Sequence, residues 1–344
     1  MRVGLISYPM LFQRNGGLQV QVGETLRALA AAGHQVGLVD PAHADRADFD
    51  LLHVFGSMNG NHRLVAAARA AGLPVVLSAL VAPSWNAAAG RRARLAGWLA
   101  GALSAMPLET TYAHIRSALR QADLVIALGA AEKTAIVRGF RIAPDKVRLV
   151  PNGVGARFFD ADPAPFRAAY GIAGRFALCV GAISPYKNQL GLAQALAALA
   201  LPLVLIGPVE PAQAAYLQAL LDRPAVRWLG ALEHGDPLLA GAYAAAAVVA
   251  LPSRGEVFPL AILEALAAGT PAVMTDESAL TLPASGFALK RVQPDDRTAI
   301  AGAVAALLAQ PPCRAAVSAL VRDFSWPQVA AQLSACYEAC HGHH

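Results

Sequence analysis

Short aliphatic runs alternate with helical stretches along the first half of this chain. Residues 2–8 form an apolar run that predicts a buried strand, and residues 18–34 follow it with the periodicity of a helix. Five further aliphatic runs predict strands: 35–39, 50–55, 73–80, 123–128 and 146–150.

A second series of the same kind begins near Arg175. Its predicted strands are 175–180, 201–207, 225–229, 246–251, 271–275 and 287–292. A strand–helix alternation that occurs twice predicts the α/β fold class, with two doubly wound parallel-sheet domains. We assign residues 1–160 to an N-terminal domain and residues 170–325 to a C-terminal domain, with a link at 155–172.

The end of the chain predicts a helix over 324–340, with Ser325 as its N-cap and Pro327 in its first turn. The tail carries thiol and imidazole groups that can bind metals: Cys336, Cys340, His341, His343 and His344. A closed metal site needs fixed geometry, whereas chain ends are usually loose. We therefore predict no metal site there.

The composition is that of a folded chain with room for two cores. Of its 344 residues, 56% are hydrophobic, with much alanine, and 15% are charged. The net charge is +5, but the basic residues are scattered, which argues against nucleic acid as a partner. The mild positive balance suits an anionic substrate or an anionic membrane surface.

The cysteines and the N-terminus indicate the compartment. The four cysteines show no disulfide framework, and Cys179 lies in a strand-like run that predicts a buried thiol. The chain opens on a strand and has no run near the ~18 apolar residues of a spanning helix. We expect a reducing, cytoplasmic location.

Loops that follow strands are the places to look for a site, because sheets of this type bind ligands at the carboxyl ends of their strands. Gly16 and Gly17 follow the first strand, where a backbone can approach a ligand and helix N–H groups favour anions. A plain turn before a helix explains the same two glycines. Neither a dinucleotide-binding nor a P-loop pattern is present.

Two further loops carry polar candidates. Lys187 follows Gly181 and lies near a helix start, where a cation opposes the helix dipole unless an anion binds between them. A solvated lysine is the alternative. The turn 151–154, with Asn152, has Pro-Asn-Gly turn chemistry in which glycine permits a positive φ.

Two glutamates follow the strand at 246–251. Glu256 lies in a loop rich in Pro and Gly, and Glu264 lies in a helix predicted from about Leu260. A carboxylate near a helix N-terminus can simply complement the dipole, so the spacing alone indicates little.

The order of these features resembles the family 4 glycosyltransferases of GT-B fold, which are retaining enzymes that use nucleotide sugars. The most specific part is 252–273, which has the pattern P-S-x-x-E-x7-E-A-x-A-x-G-T-P-x-V. The Gly-Gly loop, the Pro-Asn-Gly turn, the G-x5-K loop and the C-terminal FSW agree with it, so the resemblance spans nearly the whole chain.

The resemblance implies two Rossmann-like domains that face a cleft, with the C-terminal helix 326–344 crossing back to the N-terminal domain. It implies a hexosyltransferase that moves a sugar from a nucleoside diphosphate sugar to a glycan, lipid-linked or small-molecule acceptor. It also implies that no metal or other cofactor is required, and the sequence has no D-x-D pair that would suggest a metal.

The resemblance also implies roles for individual residues. Glu264 would bind the ribose hydroxyls, while Glu256, near the donor sugar, and Lys187, on the diphosphate, would be the catalytic candidates. The other implied donor-side residues are Gly16, Gly17, Gly181, Val257, Phe258 and Leu260. The implied acceptor-side residues are Ser78, Ser84 and Asn152.

The chain departs from the family pattern at three places. Ala182 stands where an arginine is usual, Pro259 replaces the last glycine of E-G-F-G, and Leu80 stands near the usual acceptor-side histidine. Two alternatives therefore stay open. One is a catalytically weak member that acts as a nucleotide-sugar-binding or partner subunit, and the other is a sugar-nucleotide epimerase on the same scaffold.

Residues 90–108 have the composition of a basic amphipathic helix. The stretch combines arginines with large apolar residues: Arg91, Arg92, Arg94, Leu95, Trp98, Leu99 and Leu103. Such a helix can lie on an anionic bilayer, which predicts a peripheral contact with the inner face of a membrane. A helix packed on the N-terminal domain is the alternative.

Overall fold

Two parallel β-sheets of six strands each form the framework of this computed structural model, which describes residues 1–13, 16–40, 46–103 and 110–341. The first sheet contains β1 (Arg2–Ile6), β2 (Gln35–Leu38), β3 (Leu51–Phe55), β4 (Val75–Ser78), β5 (Leu124–Ala127) and β6 (Val147–Leu149). Its strand order is β2-β1-β3-β4-β5-β6.

The second sheet contains β7 (Ala177–Val180), β8 (Leu203–Ile206), β9 (Val226–Trp228), β10 (Val248–Leu251), β11 (Ala272–Thr275) and β12 (Leu289–Val292). Its strand order is β12-β11-β10-β7-β8-β9, and every strand pairing in both sheets is parallel. All twelve strands lie within the aliphatic runs, so the predicted doubly wound α/β fold class is confirmed.

The helices of the described residues cover both faces of the sheets. In the first part of the chain they are α1 (Gly17–Ala31), α2 (Asn61–Ala70), α3 (Ala87–Leu103), α4 (Thr111–Gln121) and α5 (Ala130–Thr134). In the second part they are α6 (Ala164–Tyr170), α7 (Gln189–Ala197), α8 (Ala214–Leu221), α9 (Pro237–Ala245), α10 (Leu260–Ala267), α11 (Arg297–Ala309), α12 (Arg314–Ala319) and α13 (Trp326–His341).

Burial explains why the central strands consist mainly of apolar residues. Every residue of β3, β4, β10 and β11 is buried, because helices cover both faces of a parallel sheet. The edge strand β2 has no fully buried residue, and it is the strand in which a glutamine and a glycine are tolerated.

The segment interpreted as a link, 155–172, is partly helical. It contains α6, whose Phe166 is fully buried in the core of the second sheet and contacts Phe176 and Tyr170. The structure therefore places α6 with the second sheet.

The C-terminal helix α13 packs on the first sheet. Val329 and Leu333 share a core with Val3 and Leu5, although more than 300 residues separate the two pairs in sequence. The helix ends in the structure at His341, so His343 and His344 of the tail lie outside the described residues.

A buried polar chain anchors α13 to the middle of this sheet. The Tyr337 hydroxyl lies 2.7 Å from Nδ1 of His53, and Nε2 of His53 lies 2.8 Å from Oγ of Ser78. Burial lowers the pKa of His53 to about 3, so the imidazole is neutral and can donate one hydrogen bond while accepting the other.

Gly153 is required for a different reason from the one predicted. It does not have a positive φ; a Cβ at this position would lie 2.5 Å from a ring carbon of Trp326, at the start of α13. The backbone N–H of Val154 donates to the carbonyl of Phe324 at 2.6 Å. The Pro-Asn-Gly turn thus packs directly against the start of the C-terminal helix.

The polar chain generates a stability prediction. Tyr337→Phe leaves Nδ1 of the buried His53 without its partner, which should lower the free energy of unfolding by about 1–3 kcal/mol. Tyr170→Phe is the matched control, because its half-buried hydroxyl can reach water. Denaturant unfolding of both variants is the measurement, and equal losses would contradict the role of the Tyr337 hydroxyl.

Candidate active site

The carboxyl ends of the two sheets face each other. Gly129, directly after β5, packs so closely on the second domain that an added Cβ would lie 2.3 Å from the Ala279 carbonyl oxygen. Asn152, after β6, donates from Nδ2 to the Phe258 carbonyl, after β10, at 3.4 Å. Two of the loops predicted to hold a site, those with Asn152 and Phe258, therefore meet at an interface between the domains.

Lys187 and Glu256 meet at this interface, although 69 positions separate them. Lys187 Nζ lies 2.5 Å from Glu256 Oε1, and both side chains are mostly shielded from solvent. Lys187 follows β7 and Glu256 follows β10, which are neighbouring strands at the point where the strand order of the sheet reverses. Ligand sites of doubly wound sheets lie at such a switch point.

The loop after β7 is shaped to bring Lys187 to this point. Gly181 has φ of 149°, in the region that favours glycine, and its missing side chain leaves space for Lys187, whose Cε lies 3.4 Å from the position of an added Cβ. Lys187 closes the 3₁₀ turn Pro185–Lys187, and α7 begins two residues later.

The main chain fixes the loop that carries Glu256. The Arg254 N–H donates to the Tyr186 carbonyl at 2.8 Å, and the Val257 carbonyl accepts from the Ala279 N–H at 2.8 Å. Phe258 is buried, and Leu260 starts α10 after Pro259, whose backbone is extended at the N-cap. Pro259 therefore costs α10 no internal hydrogen bond.

Glu264 lies deeper than Glu256 and both of its oxygens are engaged. Oε2 accepts from the Tyr243 hydroxyl at 2.7 Å, and Oε1 lies 2.7 Å from Nε2 of His234, in the loop after β9. Glu264 is only 5% exposed. Burial and the neighbouring Glu264 charge raise the pKa of Tyr243 well above its usual value, so its hydroxyl remains a donor.

The same imidazole reaches the first domain. Nδ1 of His234 lies 3.2 Å from Oε1 of Glu24 on α1 and 2.7 Å from Nη2 of Arg157, while Arg27 pairs with Glu24 at 2.9 Å. Burial opposes ionisation of Glu24, but hydrogen bonds from His234 and Arg27 lower its pKa to about 2. Burial by itself would lower the pKa of His234. The carboxylates of Glu24 and Glu264 outweigh this effect, so the pKa of His234 is raised.

The residues predicted for the acceptor side do not form one cluster. Ser78 is buried with its hydroxyl bound to His53, so this side chain has no free approach to a ligand, whereas Ser84 is exposed in the loop before α3. Asn152 is buried at the domain interface.

Glu132 organises the loop after β4 that was expected to hold acceptor contacts. Its carboxylate is buried and accepts from the Val81 N–H at 2.8 Å and from the Leu128 N–H at 2.7 Å. Leu80 has φ of 52°, a left-handed conformation that this clamp helps to hold.

The two glycines of the first loop frame the start of α1. Gly16 is the N-cap, with extended backbone and no side-chain cap, and Gly17 is the first helical residue. An added Cβ at either position would meet no atom within 4 Å. No side chain of the described residues caps the first N–H groups of α1, and such N–H groups are the donors in anion sites at helix N-termini.

Sequence reasoning missed the residues around Glu264 and Leu80. These residues lie far apart in the chain, and none of them belongs to a short motif. They are Glu24, Glu132, Arg157, His234 and Tyr243. Only His234 carried a usable signal, because it follows a predicted strand at the edge where ligands bind.

Comparison with known proteins agrees with this architecture. Residues 174–310 match the family model described as glycosyl transferases group 1, and residues 41–157 match the model of glycosyltransferase family 4. The chain belongs to this glycosyltransferase family. The two matches fall on the two domains, and the match over 174–310 contains Lys187, Glu256 and Glu264.

Curated relatives of this family align over most of the chain. It is 31% identical over 264 residues to a glycogen synthase of Mycobacterium tuberculosis, covering 72% of this chain and 60% of the relative. It is 32% identical over 253 residues to a D-inositol 3-phosphate glycosyltransferase of Streptomyces scabiei, covering 65% and 56%. The chain thus spans about 60% of the length of the relatives that it matches.

Solved structures establish the GT-B fold. A sucrose-phosphate synthase from Thermosynechococcus elongatus superposes with a TM-score of 0.79 at 21% identity, covering 100% of both chains. HepE of Anabaena, solved in complex with UDP, superposes with a TM-score of 0.73 at 17% identity, covering 98% of this chain and 100% of that chain.

The described residues contain neither a helix suited to cross a membrane nor a cluster of potential metal ligands. No helix there combines the length and the apolar character that crossing a bilayer requires. Nor do three or more His, Cys, Asp or Glu side chains come together there as a metal site would need.

Proposed function

We propose that this protein is a retaining glycosyltransferase that moves a hexose from a nucleoside diphosphate sugar to an acceptor bound against its N-terminal domain. The observation that carries the proposal is the Lys187–Glu256 pair at the switch point of the second sheet. One side chain of the pair suits a diphosphate, and the other suits the positive charge that develops on a reacting sugar.

Lys187 is proposed to neutralise the departing diphosphate. Its ammonium is held in place by Glu256 and lies against Gly181, so a phosphate can approach both the ammonium and a bare stretch of backbone. The uncapped start of α1, with Gly16 and Gly17, is proposed to add N–H donors from the other domain. No metal is needed for charge relief of this kind.

Glu256 is proposed to lie beside the donor sugar and Glu264 beside the ribose. A carboxylate close to the sugar favours an oxocarbenium-like transition state. Glu264 sits one step further into the domain, where Tyr243 and His234 already fix its orientation. In addition, Val257, Phe258 and Leu260 are proposed to shape the donor side.

The acceptor is proposed to be a sugar-containing or lipid-linked molecule. The relatives include a glycogen synthase, a mannosyltransferase and D-inositol 3-phosphate glycosyltransferases, which is support for glycosyl transfer but spans several acceptor classes. On this chain, the loop that Glu132 clamps and the exposed Ser84 are the proposed acceptor wall, with Asn152 at its edge.

A nucleotide-binding subunit with weak turnover is the second candidate. Ala182 offers no cation where an arginine is usual. Lys187 is therefore proposed to neutralise most of the negative charge of the diphosphate. Release of nucleoside diphosphate that depends on an acceptor would support the transferase. Binding without release would support the subunit, and consumption of donor without any acceptor would support an epimerase.

The binding test starts with Lys187→Ala. Calorimetry with UDP, GDP and ADP, and with the corresponding nucleosides, should show a loss of about tenfold or more for the diphosphate but little loss for the nucleoside, because a charge-assisted contact contributes about 1.5–3 kcal/mol. Lys290→Ala, on the edge strand β12, is the matched control. Equal losses for the diphosphate and the nucleoside would exclude Lys187 as a phosphate ligand.

Substitution of each of the two glutamates should have a different kinetic effect. Glu264→Gln should raise the donor KM with little change in kcat, because the ribose does not react. Glu256→Gln should lower kcat on the order of 10²-fold while UDP affinity stays the same or rises, since Lys187 loses its internal partner.

Melting temperatures of both glutamate variants provide the control for folding. If Glu256→Gln loses the free nucleotide as severely as Glu264→Gln, the proposed division of labour is wrong. If both variants only melt earlier and retain the kinetics, the glutamates are structural.

The exposed face of α3 supports a peripheral membrane contact as part of this function. Leu95, Trp98 and Leu99 are 58%, 68% and 46% exposed, and Arg91 and Arg92 are exposed one turn before them. The helix contains no acidic residue. This combination is typical of helices that lie on anionic bilayers.

Part of the same helix contacts the rest of the first domain. Arg94 donates to the Tyr112 hydroxyl at 2.9 Å and to the Gly139 carbonyl at 3.1 Å, so the N-terminal half of α3 packs on the domain. Residues 104–108 of the predicted stretch lie outside the described residues.

Vesicle sedimentation tests the contact. The protein should pellet with anionic vesicles at low salt, and Trp98→Ala should release it, because burial of the indole in the interface is lost. Trp228→Ala is the control for loss of a tryptophan, since Trp228 lies in β9 of the other domain. Wild-type protein that stays in the supernatant would refute the membrane contact.

A further inference from the structure

A single imidazole joins carboxylates of the two domains. His234 faces Glu264 of α10 through Nε2, at 2.7 Å, and Glu24 of α1 through Nδ1, at 3.2 Å. The two carboxylates lie 30 and 210 positions away from His234 in the chain. Glu24 and Glu264 are 7% and 5% exposed, so solvent screens these contacts weakly.

Charged groups and one aromatic ring surround the imidazole. Arg157 lies 2.7 Å from Nδ1 and also donates to the His234 carbonyl at 2.9 Å. The exposed Arg27 pairs with Glu24, and the buried Tyr243 hydroxyl donates to Glu264. The ring also lies 5.8 Å from that of Phe158.

We propose that His234 is a positioning residue for Glu264, and that Glu24 of the opposite domain holds it there, so that the ribose carboxylate is correctly set only while the two domains are together. This inference rests on the proposed ribose role of Glu264. It adds a link between the domains that the donor site by itself does not require.

The two neighbours of Nδ1 require different protonation states. Glu24 needs a proton on Nδ1, whereas Arg157 needs its lone pair. The raised pKa of His234 means that the link to Glu24 is fully present below the ordinary pKa of histidine, about 6.5. The link is lost as pH rises through the folded-state pKa, when Nδ1 turns to Arg157 as an acceptor.

The first test uses the protein without nucleotide. NMR titration of the His234 ring, assigned by its absence in His234→Gln, should give a pKa that falls in Glu24→Gln and in Glu264→Gln. Glu338→Gln, an exposed glutamate on α13, is the matched control and should leave the titration unchanged. A His234 titration that is the same in wild type and Glu24→Gln would overturn the inference.

The second test uses UDP, with GDP and ADP in parallel, in calorimetry between pH 6 and pH 8. His234→Gln and Glu24→Gln should each weaken binding by about threefold to tenfold at the lower pH, the worth of one hydrogen bond. The ratio of wild-type to His234→Gln affinity should shrink as pH rises, which removes the titration of the phosphates themselves from the comparison. Melting temperatures show that each variant is folded.

The outcomes separate this inference from the proposed function. Wild-type protein that binds none of the three nucleotides contradicts the proposed donor site, while the NMR titration still decides whether His234 joins the domains. Tight binding that His234→Gln and Glu24→Gln leave unchanged supports the donor site but refutes the positioning role. A non-additive loss in the double variant, close to that of either single variant, supports the positioning role.

Discussion

The architecture depends on the reversal of strand order between β7 and β10. These strands are parallel neighbours, so their following loops leave the same edge of the sheet side by side, and their helices diverge to opposite faces. The gap between the helices is where a ligand can reach backbone and side chains together. Lys187 and Glu256 occupy this gap because each lies in the loop directly after one of the two strands.

The Lys187–Glu256 pair and the cluster around His234 differ in burial and in the domains that they join. The Lys187–Glu256 pair lies within one domain, and its side chains are 22% and 13% exposed. The cluster around His234 is more deeply buried and joins both domains, so it ties the orientation of Glu264 to their relative placement. If Glu264 binds the donor as proposed, this imidazole is the group through which the donor site contacts the other domain.

The departures from the family pattern gain a local explanation only in part. Pro259 occupies the N-cap of α10, where the helix loses no internal hydrogen bond, and Leu80 is held in a left-handed conformation by the loop that Glu132 clamps. Nothing in the structure substitutes another cation for Ala182 among the described contacts of Lys187. In the proposed donor site, the groups that would neutralise a diphosphate are therefore Lys187 and main-chain N–H groups.

The amino-acid sequence indicated two domains, the positions of all twelve strands, the loops that hold Lys187 and Glu256, and the helix that holds Glu264, because hydrophobic periodicity and strand ends are local properties. It predicted a positive φ for Gly153, whereas the tertiary structure shows that the space beside Trp326 excludes a side chain there. It could not reveal that Ser78 is committed to His53, or that Glu24, Arg157 and His234 surround Glu264. Those contacts join segments distant in the chain, and only the packing of one folded domain against the other brings them within hydrogen-bonding distance.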